Sequence, residues 1–286
     1  MPALITQEMR RSVEQWLAAQ RAVGFEDRAL YKALRDSGWD HLQACDFTGL
    51  QVADIEDSVQ APVEATVERP VPWPRGAGEH TWLDAGDRQV QVLALMREPQ
   101  LLVLGQLLDA HECQDLIEAA RPRLSRSLTV SVKTGGEEEN IDRTSQGMFF
   151  RRGETALIDR IEQRLARLLH WPVENGEGLQ VLRYGPGAQY KPHYDYFDPK
   201  EPGTPTILKR GGQRVATVVM YLNEPEGGGA TTFPDVQFEC LPVRGNAVFF
   251  NYKRADPSSL SLHAGAPVLR GEKWIATKWL REGRFD

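Results

Sequence analysis

Apolar and polar positions repeat with a helical period in the first part of the chain. Over residues 8–20 the apolar positions recur three and four residues apart, and the same spacing returns over 26–39 and 40–45. A turn at Gly24-Phe25 separates the first two segments, and acidic residues open the second, as the helix dipole favours. The pattern predicts a small α-helical module over residues 1–60.

Proline and glycine interrupt this pattern after residue 60. Six of them fall between residues 61 and 78. Such a composition is typical of an extended linker. Residues 61–90 are therefore predicted to connect the helical module to a second domain over residues 91–286.

Short apolar runs rich in β-branched and aromatic residues dominate that second domain. Glycine and proline separate the runs, which predicts strands near residues 90–95, 101–103, 127–132, 179–184, 215–222, 247–251 and 274–280. Two longer segments with helical spacing, 109–120 and 155–169, predict flanking helices. The pattern favours a mainly β domain, an antiparallel barrel or sandwich with helices against it.

Composition narrows the class of protein. Hydrophobic residues make up 41% and charged residues 26%, as in an ordinary globular protein. No apolar run approaches the roughly 18 residues of a membrane helix, and the amino end shows no signal peptide. Three widely spaced cysteines suit free thiols in a reducing compartment better than a disulfide framework. We therefore expect a cytoplasmic protein with no membrane partner.

The net charge of −6 is confined to residues 1–90. These residues carry nine Lys and Arg against fifteen Asp and Glu, whereas residues 91–286 are balanced. No basic patch marks the chain as a nucleic-acid binder, so no nucleic-acid partner is expected. The acidic module is best explained as a solvated surface, and docking of a partner there stays open.

One segment of the β domain carries candidate metal ligands. His193 and Asp195 are two positions apart among strand-forming residues, and in an extended strand such residues point to the same face. His263 lies 70 residues downstream, and Lys273 follows ten residues later. Two histidines and a carboxylate form the facial triad of non-haem Fe(II) oxygenases, although Zn(II) and Mn(II) accept the same ligands. Taken singly, each of these residues is more often a buried structural side chain.

Together with several further segments, this set of residues resembles the prolyl 4-hydroxylase family of Fe(II)/2-oxoglutarate dioxygenases. The resemblance runs from about Leu101 to Leu280. Its segments are Arg143-Thr-Ser145, Glu177-Gly-Leu-Gln-Val181, Tyr190-Lys-Pro-His-Tyr-Asp-Tyr-Phe197, Gly211-Gly-Gln-Arg-Val-Ala-Thr217, Tyr221-Leu-Asn223, Gly228-Gly-Ala-Thr231 and Gly271-Glu-Lys-Trp-Ile-Ala-Thr-Lys-Trp279.

The resemblance implies both a fold and a chemistry. The fold is a double-stranded β-helix, a jelly roll with flanking helices, here with a small α-helical N-terminal module. The iron ligands would be His193, Asp195 and His263, and 2-oxoglutarate would be bound by Lys273, Tyr184 and Thr231. The implied reaction uses O2 and 2-oxoglutarate to hydroxylate an unactivated C–H bond, with ascorbate as reductant.

The resemblance also implies which residues contact the substrate. The matching positions are Arg143, Ser145, Glu177, Tyr190, Arg214 and Trp279. Arg281 stands where relatives often carry a histidine, which leaves the peptide specificity open. The leading expectation is hydroxylation of prolyl residues in a protein or peptide. Hydroxylation of a free amino acid or other small molecule is an alternative. A non-catalytic binding module is a weaker one, because the ligand set and Lys273 are intact.

Overall fold

Two compact units make up the chain. The computed structural model describes residues 7–22, 25–36, 39, 41–51, 69–126, 128–130, 137–139 and 144–286. The units comprise Met1–Ala65 and Thr66–Asp286. Within the described ranges, no helix is both long enough and apolar enough to cross a bilayer.

Among the described residues of the smaller unit, three short helices pack together. They are α1 (Gln7–Ala22), α2 (Asp27–Asp36) and α3 (His41–Thr48). Their apolar stripes meet in a core that consists of Leu17, Leu30, Leu34, Ala44 and Phe47. Trp39 packs its ring edge-on against Phe47, with 5.0 Å between the ring centroids. The helical period of the sequence is thus explained by one shared core.

A nine-stranded antiparallel sheet is the frame of the larger unit. Its strands, in spatial order, are β1 (Trp82–Asp84), β2 (Gln89–Met96), β3 (Leu101–Gly105), β14 (Ala247–Asn251), β10 (Arg214–Tyr221), β17 (Lys273–Arg281), β8 (Leu179–Tyr184), β7 (Gln146–Phe150) and β4 (Ser125–Arg126). A second sheet has four strands, in the order β13 (Phe238–Cys240), β12 (Thr231–Phe233), β15 (His263–Gly265) and β9 (Tyr190–His193). Two small pairs complete the strands: β11 (Gly227–Gly228) with β16 (Val268–Arg270), and β5 (Leu128–Val130) with β6 (Glu137–Glu139).

Helices cover one face of the large sheet. They are α4 (Ala110–Ala120) and α5 (Ala156–Leu169), while the short α6 (Thr204–Leu208) lies in a connection. Asp109 and Glu112 form a reciprocal capping box at the start of α4, and the Thr155 hydroxyl caps α5. One hydrophobic core joins the helices to the sheet and includes Leu116, Ile161, Leu165, Met148, Val181, Val218 and Met220.

The opposite face of the large sheet packs against the four-stranded sheet. The core between them is aromatic and β-branched and includes Leu182, Val219, Tyr221, Phe233, Val248, Phe250 and Ile275. Residues that alternate along β10 therefore serve two different cores, which is why all eight of its residues are buried. The predicted fold, a mainly β jelly roll with flanking helices and an α-helical N-terminal module, is confirmed.

The segment 69–90 packs on the large sheet instead of acting as a free linker. Asn251 donates from Nδ2 to the Pro72 carbonyl at 3.0 Å, and the Trp73 ring lies 6.0 Å from that of Phe249. The strand β1 and the start of β2 also fall within this segment. Proline lacks an N–H group but keeps its carbonyl acceptor, so a proline-rich segment can still pair with a neighbour. The larger unit therefore begins before residue 91, where the sequence pattern had placed its start.

A buried arginine ties α5 to the rest of this unit. Arg164 is 1% exposed. It donates to the Leu107 carbonyl at 2.8 Å, to Asp87 at 2.6 Å and to Glu112 at 2.7 Å. Three separate segments are thus held by a single guanidinium group, whose planar fork suits several acceptors at once.

Arg164→Ala should lower the free energy of unfolding by about 3 kcal/mol, because it leaves the Glu112 carboxylate buried without its main partner. This loss of stability should lie at the lower end of the range for a broken buried ion pair, since Arg160 still contacts Glu112. Arg167→Ala on the same helix is the control. It removes an ion pair to Asp84 in which both side chains are more than half exposed, so its loss should be much smaller. Urea unfolding measures both, and equal losses would rule out this role of Arg164.

Candidate active site

Three candidate metal ligands converge between the two sheets. His193 ends β9 and His263 begins β15, and the two residues are direct cross-strand partners. Asp195 lies two residues beyond the end of β9. Its carboxylate oxygens are 3.7 Å from His193 Nε2 and 3.4 Å from His263 Nε2. One ligand atom from each residue lies within 4.8 Å of the other two, close enough for one ion to bind all three.

A bend, and not a continuous strand, brings Asp195 to this position. The expectation that His193 and Asp195 share one strand face is wrong, because β9 ends at His193. The bend is held by Gln213, whose side-chain amide accepts from the Phe197 N–H at 2.8 Å and donates to the Phe197 carbonyl at 2.7 Å. Arg214 also reaches the Asp195 carbonyl, at 3.4 Å. The position of the Asp195 carboxylate beside the two histidines thus depends on contacts with residues that are distant in sequence.

Both imidazole rings are held in one tautomer. Nδ1 of His193 lies 2.8 Å from the Lys191 carbonyl, and Nδ1 of His263 lies 3.0 Å from the Ser261 carbonyl. A carbonyl oxygen only accepts, so each Nδ1 carries the proton and each Nε2 keeps its lone pair for a metal. Tyr190 stacks on the His193 ring with 3.6 Å between centroids, which fixes its orientation.

A hydroxyl group fixes the carboxylate. Thr217 Oγ1 donates to Asp195 Oδ2 at 2.7 Å and lies 3.2 Å from the Tyr252 hydroxyl. Burial alone would raise the pKa of Asp195, but its contacts with the His263 and His193 rings and with the Arg214 guanidinium outweigh burial and hold the pKa below its usual range. Thr217 was not among the residues expected at the site, although it shares the inward face of β10 with Val219 at the alternating spacing of a strand.

The residues expected to bind a cosubstrate line the same cleft as the metal ligands. This cleft has a volume of about 430 Å³, part of it open to solvent, and its walls include Tyr184, Thr231 and Lys273. Lys273 is the cross-strand partner of Tyr184. Its Nζ lies 5.7 Å from the centroid of the Tyr184 ring and 5.8 Å from that of Tyr221. The Tyr221 hydroxyl donates to Thr231 Oγ1 at 2.8 Å and so orients it.

Lys273 is a buried cation that meets no anionic side chain in the described part of the chain. Its side chain is 3% exposed, and none of the ion pairs formed by the described residues includes it. Burial lowers its pKa to about 8. A cation in this position is costly unless a ligand supplies the counter-charge. A dicarboxylate with one end on the metal and the other near Lys273 therefore fits the donor set of this cleft.

The residues expected to contact the substrate differ in their positions relative to the cleft. Tyr190 and Trp279 line the cleft. Glu177 and Arg214 form a buried ion pair beside Trp279, with Arg214 Nε 2.7 Å from the carboxylate and its guanidinium 4.1 Å from the Trp279 ring centroid. Ser145 is buried and is not among the residues that line the cleft. Arg143 lies outside the described residues.

Arg281 completes a buried cluster with Glu177 and Arg214 that no sequence pattern indicated. Its Nε donates to Glu177 Oε1 at 2.6 Å, so that two buried guanidinium groups share one carboxylate. Arg281 and Arg214 are cross-strand partners in β17 and β10. Burial and the neighbouring guanidinium hold the pKa of Arg281 below its usual range despite the contact with Glu177. Only the strand register brings these residues together, so no local motif could have indicated the cluster.

The larger unit is similar in sequence to known proteins. The sequence profile of the 2OG-Fe(II) oxygenase superfamily matches residues 179–281. Prolyl 4-hydroxylase 5 of Arabidopsis thaliana is 40% identical over 221 residues, which cover 70% of this chain and 74% of the relative. Prolyl 4-hydroxylase 1 of the same plant is 44% identical over 201 residues, 64% of this chain and 69% of the relative. Among solved structures, the 2OG complex of a viral collagen prolyl hydroxylase from Paramecium Bursaria Chlorella virus-1 is 32% identical, with a TM-score of 0.49, and covers 63% of this chain and 95% of that one.

Lys273→Ala should weaken 2-oxoglutarate binding by roughly two to four powers of ten, because it leaves the far carboxylate uncompensated in a buried site. Binding of Mn(II), used as an inert probe of the metal site, should not change. In the unmodified protein, 2-oxoglutarate binding should be insensitive to pH below about 8 and should weaken above it, by up to tenfold per pH unit, as the lysine loses its proton.

Lys273→Arg is the matched control, because a guanidinium group stays charged over this pH range. It should lose less affinity than the alanine variant, and its affinity should not fall with pH. Anaerobic calorimetric titrations of each protein with Mn(II) and then 2-oxoglutarate provide the measurement. An alanine variant with unchanged 2-oxoglutarate affinity would remove Lys273 from the site.

Proposed function

Because the chain belongs to the prolyl 4-hydroxylase family of 2-oxoglutarate-dependent Fe(II) dioxygenases, we propose that it hydroxylates prolyl residues within a protein or peptide. One observation carries the proposal. A single cleft holds the three candidate ligands, the buried Lys273 and the wall residue Trp279. The cleft thus contains both the groups that this chemistry needs and an aromatic surface for the substrate.

The proposed roles of the residues follow from their contacts. When bound, Fe(II) and 2-oxoglutarate supply the activation of O2 that makes hydroxylation of an unactivated C–H bond possible. His193, Asp195 and His263 are proposed to hold the metal, with the imidazole tautomers set by backbone carbonyls. Lys273 is proposed to hold the far carboxylate of 2-oxoglutarate. The proposed cosubstrate site also includes Tyr184 and Thr231, with Tyr221 orienting the threonine hydroxyl.

Trp279 is proposed to be the main contact for the prolyl residue. Its ring is 7% exposed, and its Nε1 is buried without a hydrogen-bond partner in the described part of the chain. A prolyl residue has no N–H of its own but presents a carbonyl acceptor, which this indole group can satisfy. Tyr190, Ser145 and Arg143 stay proposed contacts, while Glu177 and Arg214 are proposed to act by supporting Trp279.

The proposed reaction uses a reductant and takes place in a reducing compartment. Ascorbate is proposed to keep the iron in its ferrous state. The protein is proposed to work in the cytoplasm, because Cys45, Cys113 and Cys240 are all free thiols buried in the fold. Burial raises the pKa of Cys113 to about 11, which keeps this thiol protonated and unreactive near neutral pH.

The direct test is hydroxylation of peptides. The protein should add one oxygen atom to a proline-containing oligopeptide in the presence of Fe(II), 2-oxoglutarate and ascorbate, as detected by mass spectrometry, with succinate formed in equal amount. His263→Ala should abolish both products, because it removes one of the three ligands, while circular dichroism should show an intact fold. Oxidation of free proline without oxidation of any peptide would favour the small-molecule alternative.

The N-terminal unit is proposed to dock a macromolecular substrate. It has a core of its own, so it is expected to fold without the larger unit. Deletion of residues 1–65 retains Pro72 and Trp73, which pack on the large sheet. The truncated protein should hydroxylate short peptides at the normal rate but should have a raised KM for a protein substrate. Equal kinetics on the protein substrate would exclude a docking role.

A further inference from the structure

A second cavity lies apart from the cleft, at one end of strands β3 and β14. Its walls come from the turn between β2 and β3 and from the segment that joins β14 to β15. It has a volume of about 820 Å³, part of it open to solvent, whereas the cleft measured in the same way has about 430 Å³. The two sets of lining residues have no member in common. The cavity is therefore a separate site, within the size range of pockets for small molecules.

Positive charge dominates the walls of this cavity. Arg97, Lys253 and Arg254 line it, and Glu98 is the one acidic residue among its lining residues. Three positive side chains thus stand against one negative side chain. Within the described ranges, neither Arg97 nor Lys253 takes part in an ion pair. The cavity is therefore suited to an anion that carries about two negative charges.

Uncharged polar groups add to the walls. Ser258 and Ser259 line the cavity, whereas the Asp256 carboxylate does not line it and accepts from the Ser258 N–H at 2.8 Å. Gln100 also lines it, and its Oε1 is buried with no hydrogen-bond partner among the described residues. Such an acceptor is costly unless a donor reaches it. Because the terminal torsion of glutamine is broad, a rotation can turn this oxygen toward a donor in the cavity.

These groups together favour a small phosphate ester that also carries hydroxyl groups. A phosphate monoester has a charge of about −1.5 to −2 near neutral pH, which matches the excess positive charge of the walls. A single carboxylate compensates only half of that excess. Guanidinium groups donate to phosphate oxygens in the fork geometry that both groups share. A hydroxyl group of the same molecule can donate to Gln100 Oε1.

The segment that forms this cavity also supports the candidate metal ligands. Ser259 Oγ lies 2.8 Å from Ser261 Oγ, and the Ser261 carbonyl lies 3.0 Å from Nδ1 of His263. At the other end of the segment, the Tyr252 hydroxyl lies 3.2 Å from Thr217 Oγ1, the group that fixes the candidate carboxylate ligand. A ligand that orders this segment therefore also orders the groups that hold two of the three candidate ligands.

We propose that this cavity binds a small hydroxylated phosphate ester, and that its occupancy tightens metal binding in the cleft. Coupling between two binding sites is reciprocal, so a bound metal should tighten binding of the phosphate ester by the same factor. The assignment of the cavity does not depend on the proposed function, because none of the groups proposed to take part in hydroxylation lines it.

Ribose 5-phosphate is the probe for binding. Calorimetric titration of the metal-free protein should show one bound molecule. Ribose should not bind, and gluconate, a hydroxylated monocarboxylate, should bind at least tenfold more weakly. Lys253→Gln should weaken binding of ribose 5-phosphate by about tenfold, because a charge-assisted contact is lost at an exposed side chain. Lys209→Gln is the matched control and should not change binding, because it removes an exposed lysine outside the cavity.

Mn(II) titrations with and without ribose 5-phosphate test the coupling. In the unmodified protein, the phosphate ester should raise the Mn(II) affinity by about fivefold or more. In Lys253→Gln at the same concentrations the gain should be much smaller, and this variant also controls for Mn(II) bound by the phosphate in solution.

The possible outcomes separate the site from the coupling. No binding of ribose 5-phosphate, equally strong binding of gluconate, or equal weakening by the two lysine substitutions would overturn the phosphate-ester site. Binding of ribose 5-phosphate without any change in Mn(II) affinity would overturn the coupling. None of these results requires a peptide substrate, so the proposed function stands or falls separately.

Discussion

The antiparallel pairing of β9 with β15 is the constraint on which the site depends. It sets His193 directly opposite His263 at the edge of the four-stranded sheet. A slip of one residue in this register would turn one imidazole to the other face and separate the three candidate ligands. The same small sheet packs over the large one, so the distance from the ligands to Lys273 on β17 follows from the spacing of two packed sheets. Fold and chemistry are thus set by a single packing arrangement.

Strand β17 carries one buried lysine with a structural partner and one that is proposed to bind the cosubstrate. Lys273 and Lys278 are both almost completely buried and lie an odd number of residues apart, so they point to opposite faces. On the helix-covered face, Lys278 pairs with Glu162 of α5. On the cleft face, Lys273 has no carboxylate partner in the described structure. Lys273 can therefore gain a counter-charge from a ligand, whereas the charge of Lys278 is already compensated by Glu162. This difference distinguishes Lys273 from a lysine that only stabilises the fold.

The sequence predicted the elements better than it predicted the connections between them. Alternating apolar runs indicated β8, β10, β14 and β17, and the two capped helices began close to the expected residues. The spacing of His193, Asp195, His263 and Lys273 predicted residues that the fold does bring into one cleft. The bend that carries Asp195 was not predictable, because the Gln213 amide that holds it lies 16 or more residues away. The proline-rich segment suggested a free linker for a related reason. The backbone carbonyl of Pro72 accepts a hydrogen bond from Asn251, which is far along the chain and which the local composition does not reveal.

The position of Arg214 has a consequence for how this enzyme can diversify. One face of its guanidinium covers the Trp279 ring, and one of its N–H groups reaches the backbone of Asp195. A substitution that reshapes the tryptophan wall therefore also disturbs the support of a proposed iron ligand. During evolution or laboratory selection for new substrates, the effects of substitutions on this side of the cleft should therefore depend strongly on one another.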